Sequence, residues 1–267
     1  MTIPTHLKYL IELAQKLKLT TSEAEGIQTS VTAIINKLKD HFKDDGLKEV
    51  FAFGSYDRNT LITRKADTES DVDILIVFDE KRWEAQTYLN KLKDFAQTNY
   101  PRSEAYQAHP TITIELLKIK FELVPCIYKE EFFEDGKYLI PNPGKTEFEW
   151  IKTEPFSLKD KINNYKNTRP VLIDLILLYK HWNIQNGRPY STFTVETFLL
   201  EHFDYEEDLC YNFYRIIDML HFNNPEKEQN DISTKAKKMK NDIENLIHNG
   251  KQSEALIELA KIVPEIN

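Results

Sequence analysis

The sequence is poor in cysteine, has no excess of basic residues and contains no long apolar run. Its two cysteines, Cys126 and Cys210, lie far apart, and no Cys/His cluster occurs. A zinc ribbon is therefore excluded and a disulfide scaffold is not expected. The most apolar stretch, Val171 to Tyr179, contains Asp174 and is too short to span a bilayer.

The charge balance bears on possible partners. The 267 residues carry 35 Lys and Arg against 43 Asp and Glu, a net charge of −8, which argues against a protein built mainly to grip nucleic acid. The segment from Met1 to His6 shows no charged-then-apolar signal pattern. With 41% hydrophobic and 12% aromatic residues, the composition is typical of a globular chain. We expect a cytoplasmic protein that makes no contact with a membrane.

Hydrophobic periodicity predicts helices first, then strands. Apolar residues recur at helical spacing over residues 7–17, from Ser22 to Phe42 and over residues 83–97. At the start of the second of these helices, Ser22 and Glu25 are predicted to form a capping box. Strands are predicted over residues 50–53, 72–78, 111–117 and 118–127, the last two paired. Turn residues concentrate between Tyr128 and Ser157, so we predict an N-terminal lobe of residues 1–157 and a second lobe of residues 158–267.

The second lobe is predicted to be helical. A buried central helix is predicted from Val171 to Trp182, closed by Asn186-Gly187. Further helices are predicted over residues 196–203, 209–222 and 254–262, with a polar linker over residues 223–231. A basic helix is predicted to begin with Lys235, Lys237, Lys238 and Lys240.

Two aspartates mark a candidate metal site. Asp71 and Asp73 begin the strand that continues to Phe78. Because strand side chains alternate, both project from one face, roughly 6.5 Å apart along the backbone. Two such carboxylates can hold two divalent cations about 3.5–4 Å apart, and Mg²⁺ suits them because it prefers oxygen ligands. The plainer alternative is a pair of solvated strand-end carboxylates.

A phosphate-binding turn is predicted just upstream. Gly54 follows a strand and Ser55 opens a helix. Glycine lets a backbone approach a ligand closely, and free N–H groups at a helix start favour phosphate. The alternative is an ordinary turn with a serine N-cap.

A third acid is expected on a neighbouring strand, and Glu122 fits. Ile119, Phe121 and Leu123 point to one side of that strand, so Glu122 points to the other. It could ligate a metal and accept the proton of an attacking hydroxyl. The alternative is one more exposed carboxylate beside Lys118 and Lys120.

These segments resemble a known superfamily. Gly54-Ser55-Tyr56-x-Arg58-x-Thr60, Asp71-x-Asp73 and Phe121-Glu122-Leu123-Val124-Pro125 resemble the DNA-polymerase-β-like nucleotidyltransferases, and best of all the bacterial cGAS/DncV-like enzymes. Lys180-His-Trp182-Asn183 followed by Ser191-Thr-Phe-Thr-Val-Glu196 resembles that family's helical-lobe signature. The likeness extends over roughly residues 20 to 203.

The resemblance implies a two-lobed α/β fold, with a mixed sheet and a helical C-terminal lobe like that of oligoadenylate synthetase. It also implies two Mg²⁺ ions, or Mn²⁺, one held by Asp71, Asp73 and Glu122 and the other by the two aspartates. Gly54, Ser55 and Lys180 would bind the donor nucleotide, in a cleft between the lobes. The pattern's serine falls on Thr192, with Ser191 just before it, so either hydroxyl could contact the triphosphate.

The implied product is a cyclic di- or trinucleotide made from ATP, GTP or pyrimidine nucleoside triphosphates, with release of pyrophosphate. It would act as a diffusible second messenger in anti-phage defence and reach a separate effector. Activation by nucleic acid is not expected, because the chain is acidic and has no zinc-bearing insert. Two alternatives remain: an enzyme that modifies an RNA end, a protein or a small molecule, and an inactive nucleotide-binding protein. For Lys180 itself, the alternative is a helix-end cation.

Overall fold

The structure, a computed structural model, describes residues 5–79, 83–108, 110–116, 119–130, 136–142, 150–166, 171–205, 207–220 and 227–266. Several predicted features lie outside these residues: the strand junction at 117–118, parts of the turns at 135 and 143–144, the helix end at 221–222, and the linker at 223–226. Both cysteines, Cys126 and Cys210, are free, as predicted. No helix within the described ranges has both the length and the apolarity needed to cross a membrane.

The described residues form ten helices and seven strands. The helices are α1 (Thr5–Leu17), α2 (Thr21–His41), α3 (Gly54–Asp57), α4 (Ala85–Asn99), α5 (Ser157–Lys166), α6 (Val171–Gln185), α7 (Thr192–His202), α8 (Leu209–Met219), α9 (Lys227–His248) and α10 (Gln252–Ile262). The strands are β1 (Leu47–Phe53), β2 (Asp71–Phe78), β3 (Glu104–Ala108), β4 (Thr111–Glu115), β5 (Lys120–Lys129), β6 (Lys137–Pro141) and β7 (Trp150–Thr153).

The chain divides into two compact units. The sheet unit consists of residues 20–61 and 69–160, and the helical unit of residues 1–19, 62–68 and 161–267. The predicted division into residues 1–157 and 158–267 differs from these units in α1 and in residues 62–68, which both belong to the helical unit. The reason is packing, since the apolar stripe of Leu10, Leu13 and Leu17 is buried and α1 contacts α6, α8 and α10.

The sheet unit is built on a mixed sheet, as predicted. Its main strand order is β1-β2-β5-β4-β3. Strand β6 pairs with residues 127–129 of β5, and β7 pairs with β6. The β2–β5 pair is parallel and the other pairs are antiparallel. One face packs against α2 and α4. There Phe42, Phe78, Tyr88 and Phe95 are fully buried, each contributing about 1.5–3 kcal/mol by removal of its surface from water.

Some local predictions need correction. Thr20, not Ser22, caps α2: its hydroxyl accepts the Glu23 N–H at 3.2 Å, and Glu23 accepts the Thr20 N–H at 2.8 Å. The sequence offers two overlapping Ser/Thr-x-x-Glu matches, and the helix uses the first. The predicted inter-lobe boundary contains β6 and β7, because its turn residues flank short apolar runs. Helix α4 begins at Ala85 rather than Trp83.

Another correction concerns the basic helix. Helix α9 already begins at Lys227, inside the predicted linker. Lys240 is buried, with its ammonium 2.8 Å from a carboxylate oxygen of Asp218 and 2.8 Å from one of Glu244. The cationic surface of α9 is therefore smaller than the sequence suggested.

Candidate active site

Three carboxylates share one face of the sheet unit. Asp71 and Asp73 alternate with buried Val72 on β2. In the parallel β2–β5 pair, Asp73 is the Cα partner of Glu122. Register partners on neighbouring strands project to the same side, so the structure places Glu122 on the sheet face that carries the two aspartates. All three are half-buried.

The surroundings of Glu122 favour its protonated form. Burial, and then the negative charge of Asp71, raise the pKa of Glu122 from 4.5 to about 7. A hydrogen bond with Thr111 and the positive charge of Lys120 act in the opposite direction. A carboxyl whose pKa lies near neutrality can accept and release a proton under physiological conditions, which is the property a general base needs.

Lys120 is a charged neighbour that the sequence reasoning did not assign. It is the register partner of Asp71 and precedes Glu122 by two residues on the same face. Its ammonium forms ion pairs with Glu69 and, at 3.5 Å, with Glu115. The period-two alternation that identified Glu122 could also have identified Lys120, which partly offsets the charge of the acids.

Gly54 lies directly against this cluster. Its φ of +71° is in the left-handed region, and a Cβ built on it would lie 1.9 Å from Oδ2 of Asp73. Only glycine lets the backbone come this close to the aspartate. Ser55, the next residue, is buried at the start of the single-turn helix α3.

Contacts on two sides hold the turn that contains Gly54 and Ser55. The hydroxyl of Tyr56 donates to Oε1 of Gln28 on α2 at 2.8 Å. Nζ of Lys159 on α5 donates to Oδ1 of Asp57 at 2.8 Å. The backbone that faces the acids is therefore anchored to two helices.

We predict that Gly54→Ala lowers kcat/KM by roughly 10²-fold, because displacing a reacting group by about 1 Å has an effect of this size. The added methyl group must push the Asp73 carboxylate away. Gly187→Ala is the matched control. It has a similar φ of +79°, but its new methyl group would meet no described atom within 4 Å.

The backbone strain in Gly187→Ala is expected to lower its stability by about 1–2 kcal/mol without a loss of activity. Steady-state kinetics and thermal unfolding of both variants test this. Equal activity in the two variants would show that contact with Asp73 is unimportant.

The donor chemistry of the acids fits a divalent cation. Carboxylate oxygens are the ligands that Mg²⁺ prefers, and the lack of a side chain on Gly54 allows the Asp73 carboxylate its position beside the turn. Within the described ranges, however, no three His, Cys, Asp or Glu side chains are grouped closely enough to hold an ion. The three acids are thus neighbours in register but not a preformed cage.

The remaining predicted site residues belong to the helical unit. Lys180 is a buried residue of α6, and its ammonium lies 2.8 Å from Oε1 of Glu196 on α7. This interior position differs from that of a helix-end cation. The Ser191 hydroxyl is the N-cap of α7 and accepts the Thr194 N–H at 3.1 Å. Thr192, the first residue of α7, is exposed.

The titration of Glu122 predicts a pH-dependent stability. Its folded pKa of about 7 lies above the ordinary 4.5, so folding favours the protonated form. The stabilisation is complete below pH 4.5 and is lost as pH rises through 7. The measurement is the Tm of the wild type and of Glu122→Gln between pH 5 and pH 8 in a chelating buffer. Over this range we expect the wild-type Tm to fall more than that of the variant, by on the order of a few °C. Parallel curves for the two proteins would contradict it.

Comparisons with known proteins agree with the predicted fold and family. The Second Messenger Oligonucleotide or Dinucleotide Synthetase domain matches residues 1–167. The chain belongs to this family. A probable cyclic nucleotide synthase of Bacillus cereus (strain VD146) is 24% identical over 197 residues, which cover 58% of this chain and 56% of the relative. The match therefore spans just over half of the length of that curated relative.

Solved structures of low sequence identity share the fold. Escherichia coli MS115-1 CdnC, solved with ATP, has a TM-score of 0.75 at 13% identity and covers 97% of each chain. The apo form of Vibrio cholerae DncV has a TM-score of 0.72 at 13% identity, over 94% of this chain and 92% of that one. Bradyrhizobium diazoefficiens CdnG, a CD-NTase solved with GTP, has a TM-score of 0.70 at 12% identity, over 97% and 99%. The chain thus has the polymerase-β-like CD-NTase fold that its motifs predicted.

Proposed function

We propose that this protein is a nucleotidyltransferase that joins nucleoside triphosphates into a cyclic di- or trinucleotide and releases pyrophosphate. The observation that carries the proposal is the placement of Asp71, Asp73 and Glu122 on one sheet face, beside Gly54. Membership of the second-messenger synthetase family supports it, as does the cyclic nucleotide synthase among its relatives.

In the proposed reaction, the ribose hydroxyl of one nucleotide attacks the α-phosphorus of another. Glu122, on the same sheet face as the two aspartates, accepts the hydroxyl proton. Asp71 and Asp73 would hold two Mg²⁺ ions, with Glu122 as a further ligand to one; Mn²⁺ would also suit these oxygens. When bound, such ions neutralise the charge that develops on the phosphate oxygens. Gly54 and Ser55 orient the donor phosphates.

In the helical unit, we assign the donor triphosphate to Lys180 and Thr192. The Ser191 hydroxyl is occupied, since it accepts the Thr194 N–H and shares a 2.8 Å hydrogen bond with the Thr194 hydroxyl. The exposed Thr192 is therefore the better candidate of the two hydroxyls. Phe193 is 62% exposed beside it and offers a flat apolar surface for a nucleobase.

The proposed biological role is the one that the family resemblance implies. The cyclic product would leave the enzyme, diffuse in the cytoplasm and activate a separate effector in anti-phage defence. The net charge of −8 and the burial of Lys240 favour synthesis without added nucleic acid, since activation by a duplex requires a surface that neutralises many phosphates.

The decisive experiment is incubation of the purified protein with all four nucleoside triphosphates and Mg²⁺, without nucleic acid. The products are then treated with phosphatase and identified by mass spectrometry. A cyclic product has no terminal phosphate and survives unchanged, whereas linear products lose theirs. Linear products alone would favour an enzyme that extends or modifies another molecule, and no product with any triphosphate would favour an inactive binding protein.

A further inference from the structure

Glu196 ends the helical-lobe segment that resembles the family, but it was given no role there, and the structure pairs it with buried Lys180. We propose that Glu196 is a positioning residue: its carboxylate holds the Lys180 ammonium where the donor triphosphate binds. The proposal rests on the proposed function, because it assumes that Lys180 contacts that triphosphate.

The geometry of the pair is that of a charge-assisted hydrogen bond. Nζ of Lys180 lies 2.8 Å from Oε1 of Glu196, within the range for such bonds. The Lys180 side chain is 7% exposed and that of Glu196 is fully buried. Neighbouring Val195 and Leu199 on α7 are also buried, so the pair lies in the interior of the protein.

Stability alone is a poor explanation for this arrangement. Moving two charges out of water costs several kcal/mol for each ion, and their attraction often only offsets that cost. In general, replacing a buried ion pair by apolar residues of similar volume is often neutral or stabilising. What the ion pair adds is a fixed position for the ammonium.

The position of Glu196 on α7 links the pair to the triphosphate. Thr192 precedes Glu196 by four residues, so both lie on the same face of the helix. The connection between α6 and α7 is also held rigidly: the Asn183 amide donates to the Tyr190 carbonyl at 2.8 Å, and its oxygen accepts the Tyr190 N–H at 3.1 Å. These contacts fix the position of the Lys180 ammonium relative to the start of α7, where Thr192 lies.

A double-mutant cycle tests the proposal. Its four proteins are the wild type, Lys180→Met, Glu196→Gln and the double variant; methionine and glutamine preserve side-chain volume. The measured quantity is the Kd of the non-reacting α,β-methylene analogue of the incorporated triphosphate, together with the KM and kcat of the reaction. Thr197→Val, which replaces a buried hydroxyl that has no partner among the described residues, is the control on α7.

We expect Lys180→Met to raise the analogue Kd by roughly 10- to 150-fold, the loss of a charge-assisted contact. Glu196→Gln should raise it roughly 3- to 10-fold, by coupling through the lysine. In the Lys180→Met background, Glu196→Gln should change Kd by less than about twofold. Thr197→Val should leave Kd, KM and kcat unchanged.

Several outcomes separate this proposal from its alternatives. If Glu196→Gln still raises Kd in the Lys180→Met background, Glu196 has a structural role only. The same conclusion follows if Glu196→Gln lowers the Tm and the double variant has an equally low Tm. A Kd equal to or below that of the wild type would show that Glu196 does not position the lysine. Unchanged binding in Lys180→Met would remove the premise. Analogue binding that depends on both residues, without any cyclic product, would support the inference while overturning the proposed function.

Discussion

Asp73→Asn is expected to lower kcat by at least about 10³-fold, because loss of a shared metal ligand removes several kcal/mol of transition-state stabilisation. Asparagine keeps the volume of the side chain, and Asp73 is only half-buried on β2. The variant should therefore fold normally, with a Tm close to that of the wild type. Initial rates of pyrophosphate release and thermal unfolding of the same preparations provide the measurement.

Asp79→Asn is the matched control for this prediction. Asp79 follows the other end of β2 and is exposed, so the same chemical change is made away from the acids. The control should keep wild-type turnover. If Asp73→Asn also retained turnover near that of the wild type, Asp73 would not be a metal ligand and the proposed mechanism would be wrong.

Glu122→Gln is expected to stop synthesis while leaving nucleotide binding nearly intact. The amide preserves the size of the side chain but takes no proton and is a poor metal ligand. Loss of general-base catalysis alone corresponds to about 10²- to 10⁴-fold. Measuring kcat together with the Kd of a non-reacting triphosphate analogue separates the chemical step from binding.

Glu115→Gln provides the comparison for Glu122. Glu115 lies on β4 and is the register partner of Lys120 on β5, which precedes Glu122 by two residues. Its carboxylate accepts a hydrogen bond of 2.9 Å from the Tyr106 hydroxyl. We expect this variant to remain active. An active Glu122→Gln enzyme with an inactive Glu115→Gln enzyme would transfer the role of the base to Glu115.

Local periodicity accounts for the predicted placement of the candidate acids on the faces of their strands. The alternation of Asp71 and Asp73 with apolar residues has a period of two, which any strand imposes. The same rule separated Glu122 from Phe121 and Leu123. These patterns hold because the direction of a strand side chain depends only on its own backbone and on burial of the opposite face.

The tertiary structure decided the features that depend on contacts between distant segments. No local pattern states that β2 and β5 are parallel neighbours, which places Glu122 in register with Asp73. Nor does a pattern place α1 in the helical unit or pair Lys180 with Glu196.

The physical reason is that side-chain direction is set locally, whereas the packing of elements depends on contacts along the whole chain. The sequence by itself determined which residue types stand on which face of each element, and so the identity of the three acids and of the glycine beside them. Which faces meet depends on burial of apolar area over the whole chain, which is non-directional and sums many weak contacts. The proximity of Gly54 to Asp73 and the raised pKa of Glu122 follow only from that packing.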